Sequence, residues 1–391
     1  MTDKFSPSDF LSKKASGIKP SGIRKFFDVT ATIPDAVSLG VGEPDFATPW
    51  HIRSEAVKAL EKGKTYYTAN RGLIELRREI TKYMNETINV EYDPETDILV
   101  SVGASEALDA ALRALVDVGD EVLIPEPSFV CYNPCTVLAG GVPVAVKTVE
   151  ENEFKLTPEA LKACITPKSK VLILPYPNNP TGGIMTKEDL EKLVPIIEEA
   201  NLAVISDEIY SELTYTGKHF SIASLPGMRD RTVVVNGFSK SFAMTGWRLG
   251  FASAHKDIMQ TIVKIHQYGI MSAPTFSQYA AIEALKNGRP DIERMKDEYN
   301  QRRKFLVSEL NAMGMECFNP RGAFYAFPSI KKFGLKSEEF CEKLLYKEKL
   351  AVVPGDAFGE SGEGHIRISY AYSIESLEIA LKRMRKFIKE L

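Results

Sequence analysis

From about Asp97 onward the chain alternates short β-branched, apolar runs with longer stretches in which apolar positions recur every three to four residues. The runs Ile98–Val102, Glu121–Ile124, Val144–Val149, Lys170–Leu174, Leu202–Ser206, Thr232–Val235 and Leu249–Ala252 predict strands. Several are almost wholly apolar, as strands covered by helices on both faces must be. Ser105–Val116, Thr186–Ala200 and Ser277–Lys286 predict helices between them. Strand–helix alternation of this kind predicts an α/β unit built on a mainly parallel sheet. Further on the pattern changes to a long charged amphipathic helix over Arg294–Met313, short strands around Gly322–Phe327, Ala351–Pro354 and His365–Ser369, and a closing helix from Ser373. That layout predicts a second, smaller α+β unit. The first forty or so residues are too few to close a core and are expected to pack on it. The expected division is residues 1–47 as an N-terminal arm and part of the small domain, 48–290 as the large domain, and 291–391 as the small C-terminal domain.

A length of 391 residues agrees with two cores, since single cores stop growing near roughly 250–300 residues. With 49 Lys and Arg against 52 Asp and Glu, the net charge of −3 supplies no general basic field for nucleic acid. No apolar run approaches the roughly 20 residues that span a bilayer, and residues 1–20 lack the apolar stretch of a secretion signal. The five cysteines are scattered and odd in number, which reads as reduced thiols of a cytoplasmic protein. Cys131 and Cys135 have no second pair at zinc spacing and are read as structural thiols.

Four polar motifs follow predicted strands. After Thr232–Val235 comes Asn236-Gly-Phe-Ser-Lys-Ser-Phe-Ala-Met-Thr-Gly-Trp-Arg-Leu-Gly250. A buried Lys240 can serve as an amine nucleophile toward a carbonyl, and Arg248 can clamp a phosphate between glycines that admit it closely. The same residues also read as a surface lysine and a structural arginine. Ser206-Asp-Glu-Ile-Tyr210 delivers Asp207 at a strand end, where open α/β sheets bind ligands, or supplies a helix cap beside a core tyrosine. Pro175-Tyr-Pro-Asn-Asn-Pro-Thr-Gly-Gly183 is a rigid polar loop or a simple turn. Ser101-Val-Gly-Ala-Ser-Glu-Ala107 opens a helix whose N-terminus favours an anion, or is an ordinary cap.

Taken together and in order, these motifs are far more specific. With Gly40-Val-Gly-Glu-Pro-Asp-Phe46, Tyr67-Thr-Ala-Asn-Arg-Gly72 and His365-Ile-Arg-Ile-Ser-Tyr370 they span about Ser38 to Tyr372. Over that length the chain resembles the fold type I pyridoxal-phosphate aminotransferases of class I/II, in the prokaryotic branch that includes aspartate, aromatic and N-acetyl-diaminopimelate aminotransferases. The resemblance implies a large, mainly parallel seven-stranded sheet domain with a smaller α+β domain built from both chain ends. It implies pyridoxal 5′-phosphate as cofactor and ping-pong transfer of an amino group from an L-amino acid to a 2-oxo acid, with 2-oxoglutarate/glutamate as one pair.

The implied catalytic residues are Lys240, which carries the cofactor as an internal aldimine and shuttles the proton, Asp207, which pairs with the pyridine nitrogen, and Tyr210. Tyr210 and Asn179 donate to the phenolic oxygen, and Phe129 stacks on the ring. Ala104, Ser105, Ser239 and Arg248 hold the phosphate, joined by Tyr67 of a neighbouring subunit, so the implied unit is a homodimer. Arg367 grips the substrate carboxylate, with Gly42 close by and Asn179 beside it. Relatives carry Ser or Thr where this chain has Gly237, and some carry Lys where it has Ser105. Arg71, Arg24 and Lys25 are candidates for a distal substrate carboxylate, and Trp247 stays open between core packing and contact. Ser21–Phe27, Leu174-Pro-Tyr-Pro177 and His266-Gln-Tyr268 lean toward N-acetyl-diaminopimelate or aromatic substrates. The rival enzyme reading is a C–S β-lyase on the same scaffold, which shares Lys240 and Asp207. A DNA-binding regulator is disfavoured, because the motifs begin near Gly40. No metal, nucleic acid or membrane is expected.

Overall fold

The structure, a computed structural model, describes residues 6–20, 22 and 33–391. The predicted Ser21–Phe27 segment, with Arg24 and Lys25, lies outside the described residues except for Gly22. The seven predicted runs form one sheet: β2 (Ile98–Ser101), β3 (Glu121–Glu126), β4 (Val142–Lys147), β5 (Ser169–Leu174), β6 (Ala203–Asp207), β7 (Thr232–Gly237) and β8 (Gly250–Ser253). Their order is β2-β8-β7-β6-β5-β3-β4. All pairings are parallel except those of β8, which runs against both neighbours. β2, β7 and β8 are buried throughout because helices cover both faces, whereas β4 forms the edge and is partly exposed. On one face, helix Ala104–Leu115 places Ala107, Leu108, Ala111 and Leu112 against Ile173, Ile205 and Val235. On the other, helix Lys187–Glu199 starts at a capping box, Thr186 with Asp189, and packs Leu193 and Ile197 near Leu172 and Val204.

A second core gathers Met295, Tyr299, Leu306 and Leu310 with Phe324, Phe340, Ile368, Leu377 and Phe387. Its long helix, Arg289–Ala312, begins five residues before the predicted start, with Pro290 in the first turn where a missing N–H costs nothing. The predicted strand over 322–327 shrinks to β9 (Tyr325–Ala326), because Ala323 takes a left-handed φ of 57° that no strand sustains. β11 (Val353–Pro354), β12 (Ile366–Ser369) and β9 form a three-stranded antiparallel sheet. From the N-terminal side β1 (Val37–Ser38) pairs in parallel with β10 (Leu350–Ala351), and Leu39 enters this core. Residues Lys13–Ser16 lie instead against helix Tyr132–Ala139 of the large sheet unit. Among the described residues no helix is long and apolar enough to cross a membrane.

Candidate active site

In a parallel sheet every strand ends at one edge, and the loops leaving that edge converge. β2 leads into Ala104 and Ser105, β3 into Phe129, β5 into Asn179, β7 into Ser239 and Lys240, while β6 ends on Asp207. β8, running the other way, starts at that edge just after Arg248. From the second core, Arg367 arrives on β12 and Gly42 on the segment after β1. These groups, with Tyr210, line one cavity of about 310 Å3. Two glycines make the anion end of it possible. A Cβ on Gly103, itself at φ 78°, would meet the Arg248 guanidinium at 2.7 Å, and one on Gly250 would meet the Ala104 amide at 2.6 Å.

Lys240 extends its Nζ to the carbonyl of Gly42 at 2.7 Å. Burial pushes its ammonium down to about 8, the charges of Arg367 and Arg248 act the same way, and Glu43 opposes them. The Asp207 carboxylate accepts from the Tyr132 hydroxyl at 2.9 Å and from the Ile209 N–H at 3.2 Å. Burial raises it from its ordinary value in spite of those donors. Among the described residues no lysine, arginine or histidine pairs with it. Arg367 is buried, with Nη1 donating to the Asn179 Oδ1 at 2.8 Å and Nη2 to the Gly40 carbonyl. Its guanidinium lies 4.5 Å from the Tyr325 ring centroid and 4.8 Å from that of Phe358. Among the described residues its Nε has no partner. Burying a charge so completely is costly unless an anion answers it.

Gly42, Ala104, Ser105, Phe129, Asn179, Asp207, Tyr210, Ser239, Lys240, Arg248 and Arg367 all face this one cavity. Tyr67 does not; it stands 80 % exposed on the surface of the chain. Arg71 donates to the Thr96 carbonyl at 2.7 Å and is absent from the cavity wall. Trp247 donates to Thr48 at 3.0 Å and packs on the core. His266 is buried against Glu106 at 3.1 Å, away from the cavity, and Tyr268 is exposed. At Gly237 a Cβ would press on the Gly250 Cα at 3.0 Å, so the β7–β8 pairing leaves little room for the Ser or Thr of the family pattern. Two hydroxyl-bearing wall residues escape a reading of motifs: Tyr132, three positions past Phe129, and Tyr325 on β9.

A lysine, an aspartate and an arginine at the carboxyl edge of a seven-stranded sheet, met by a second arginine from β12, make a cavity that can bring a buried amine and a carboxylate-bearing molecule together. The chain belongs to the aminotransferase class I and II family, whose model matches residues 34–384. It is 50 % identical to an aspartate aminotransferase of Pyrococcus abyssi over 97 % of this chain and 98 % of that one. It is 46 % identical to aromatic-amino-acid aminotransferase 2 of Thermococcus litoralis, again over 97 % and 98 %. The solved aromatic aminotransferase of Pyrococcus horikoshii superposes with a TM-score of 0.90 at 48 % identity, over 94 % of this chain and 99 % of that one. The protein is accordingly an enzyme of amino-group transfer that depends on pyridoxal 5′-phosphate. The family favours transfer over the lyase reading.

Proposed function

We propose that the enzyme exchanges an amino group between L-glutamate/2-oxoglutarate and a second pair, aspartate or an aromatic amino acid with its oxo acid, as a cytoplasmic homodimer. The observation that carries the assignment of roles is the charge pattern of the cavity. A buried carboxylate without a cation, a lysine whose proton burial has loosened and two arginines surround one space. Those residues fit pyridoxal phosphate: Asp207 lacks the cation that a ring nitrogen brings, and Arg248 with the helix start at Ala104 and Ser105 lacks the anion that a phosphate brings. Bound there, the cofactor supplies an electrophilic carbon for amine exchange and a cationic ring that draws electrons from the substrate's α-carbon.

In this reading Lys240 would hold the cofactor through its Nζ, and the same Nζ, once free, would carry the substrate's α-proton. Its depressed affinity for protons suits it to that exchange near neutral pH. Asp207 stays ionised against the ring nitrogen, oriented by Tyr132. Phe129 covers one ring face, and Ser239 joins the phosphate end. Tyr210 and Asn179 donate to the phenolic oxygen. Arg367 turns its guanidinium fork to the substrate α-carboxylate, and Gly42 leaves that carboxylate room.

Tyr67 serves the neighbouring subunit's phosphate. Supporting a dimer are the exposed aromatic side chains of Trp50, Tyr66, Tyr67 and Tyr268, each at least 66 % exposed, and an apolar groove lined by Trp50, Val57, Leu60 and Phe276. The free state of all five cysteines agrees with a cytoplasmic setting. The test is a visible spectrum of the purified holoenzyme. L-Glutamate should bleach the cofactor band, 2-oxoglutarate should restore it, and so should the oxo acid of the second pair, oxaloacetate or phenylpyruvate. A band indifferent to glutamate, aspartate and aromatic amino acids would overturn this reading.

A further inference from the structure

Tyr325 touches three parts of the cavity at once. Its hydroxyl lies 2.8 Å from the Tyr210 hydroxyl, and either can donate. Its ring carries the Arg367 guanidinium, 4.5 Å from the centroid. A Cβ on Gly42 would collide with its hydroxyl. It is buried on β9, opposite Ser369 of β12, and Tyr210, although it follows β6 of the large sheet, packs into the same second core. The phenol pair therefore ties the loop after β6 to β9 inside the cavity.

A phenol has a single proton to give. If Tyr210 spends its proton on the cofactor's phenolic oxygen, as the proposed function has it, the 2.8 Å contact is a hydrogen bond only when Tyr325 donates. We propose that Tyr325 is a positioning residue of the reaction: its hydroxyl donates to Tyr210, turning the Tyr210 proton into the cavity and strengthening it as a donor. Consecutive hydrogen bonds polarise one another, by about 10–30 % per bond. Donation to the phenolic oxygen stabilises its anionic form and lets the cofactor's covalent nitrogen lose its proton more readily. A weakened donor therefore raises the pH at which the visible band titrates.

The experiment compares holoenzymes carrying Tyr325→Phe, Tyr210→Phe and both, each titrated by absorbance between pH 5 and 10. Tyr325→Phe keeps the ring under Arg367 and removes one oxygen, so folding is preserved and the melting temperature is the control. The expected midpoint rises by about one pH unit or more for Tyr210→Phe and by about 0.3–0.7 unit for Tyr325→Phe. With Tyr210 already Phe, the second change should add nothing. A packing role would lower the melting temperature and leave the midpoint where it was. An unmoved midpoint in Tyr325→Phe, or an equal rise with and without Tyr210, overturns the proposal. An unmoved midpoint in Tyr210→Phe itself overturns the role given to Tyr210, and the proposal with it.

Discussion

The lysine at the end of β7 allows a prediction with a number attached. An exposed lysine, at an ordinary value of 10.5, is about 0.1 % neutral at pH 7.5, whereas Lys240, pushed down to about 8, is about 24 % neutral. That is roughly 240-fold more amine ready to attack a carbonyl. The perturbation is pH, applied to the cofactor-free protein, and the assay is the rate at which the visible band grows when pyridoxal phosphate is added between pH 7 and 10.5. The rate should climb about fivefold between pH 7 and 8, bend there and level off. Glu43→Gln removes the negative charge that opposes burial and should move the bend to lower pH. A rate that keeps climbing tenfold per unit beyond pH 9.5 would refute the claim that burial has loosened this proton.

Stability supplies an independent limb. Below pH 8 folded and unfolded chains both hold the Lys240 proton and the full cost of burying it, about 3 kcal/mol, is present. Between 8 and 10.5 the unfolded chain holds more protons, so stability of the cofactor-free protein rises with pH. Lys240→Met should lack that rise.

Three further outcomes follow from the cavity. Asp207→Ala should lower turnover by at least two orders of magnitude with an unchanged melting temperature, read by steady-state kinetics beside calorimetry; near-normal turnover would remove it from the chemistry. Arg367→Lys gives up the bidentate fork and the stacking on Tyr325 and should raise KM by about 10²–10³ for every amino acid alike. A loss confined to one substrate would assign Arg367 to side-chain recognition instead. Tyr67→Phe mixed with Lys240→Ala protein should recover activity through hybrid dimers that contain one unaltered site, and light scattering should report a dimer; a monomer with full activity would defeat the shared-site reading.

The large sheet was legible because burial on both faces leaves strands such as Val171–Leu174 and Val233–Val235 without polar interruptions. Most of the cavity was legible for a related reason: each polar motif sits one turn beyond such a strand, and a parallel sheet brings those ends together. Helices Trp50–Glu61 and Ile74–Ile88 had no counterpart among the predicted elements. In the first, exposed Trp50, Val57 and Leu60 blur the apolar stripe that reveals a helix. Tyr325 was invisible for another cause. Its partners Tyr210, Arg367 and Gly42 lie on three separate segments, and no spacing in a linear chain records a meeting between segments.

The pairing of β1 with β10 has a bearing on how the enzyme is made. Arg367 donates to the carbonyl of Gly40, a residue 327 positions earlier in the chain. During synthesis the sheet strands β2 to β8 and Lys240 emerge while β10 and β12 have yet to be translated. The nascent chain can thus build the floor of the cavity without its carboxylate clamp. The N-terminal strand, the first made, must wait for nearly the last to find its partner, and that long closure puts assembly of the working pocket late in folding. A truncated product lacking the final strands would display Lys240 with no Arg367 to select what reaches it. The earliest and latest parts of the message are read into a single contact, so only a finished chain can be selective.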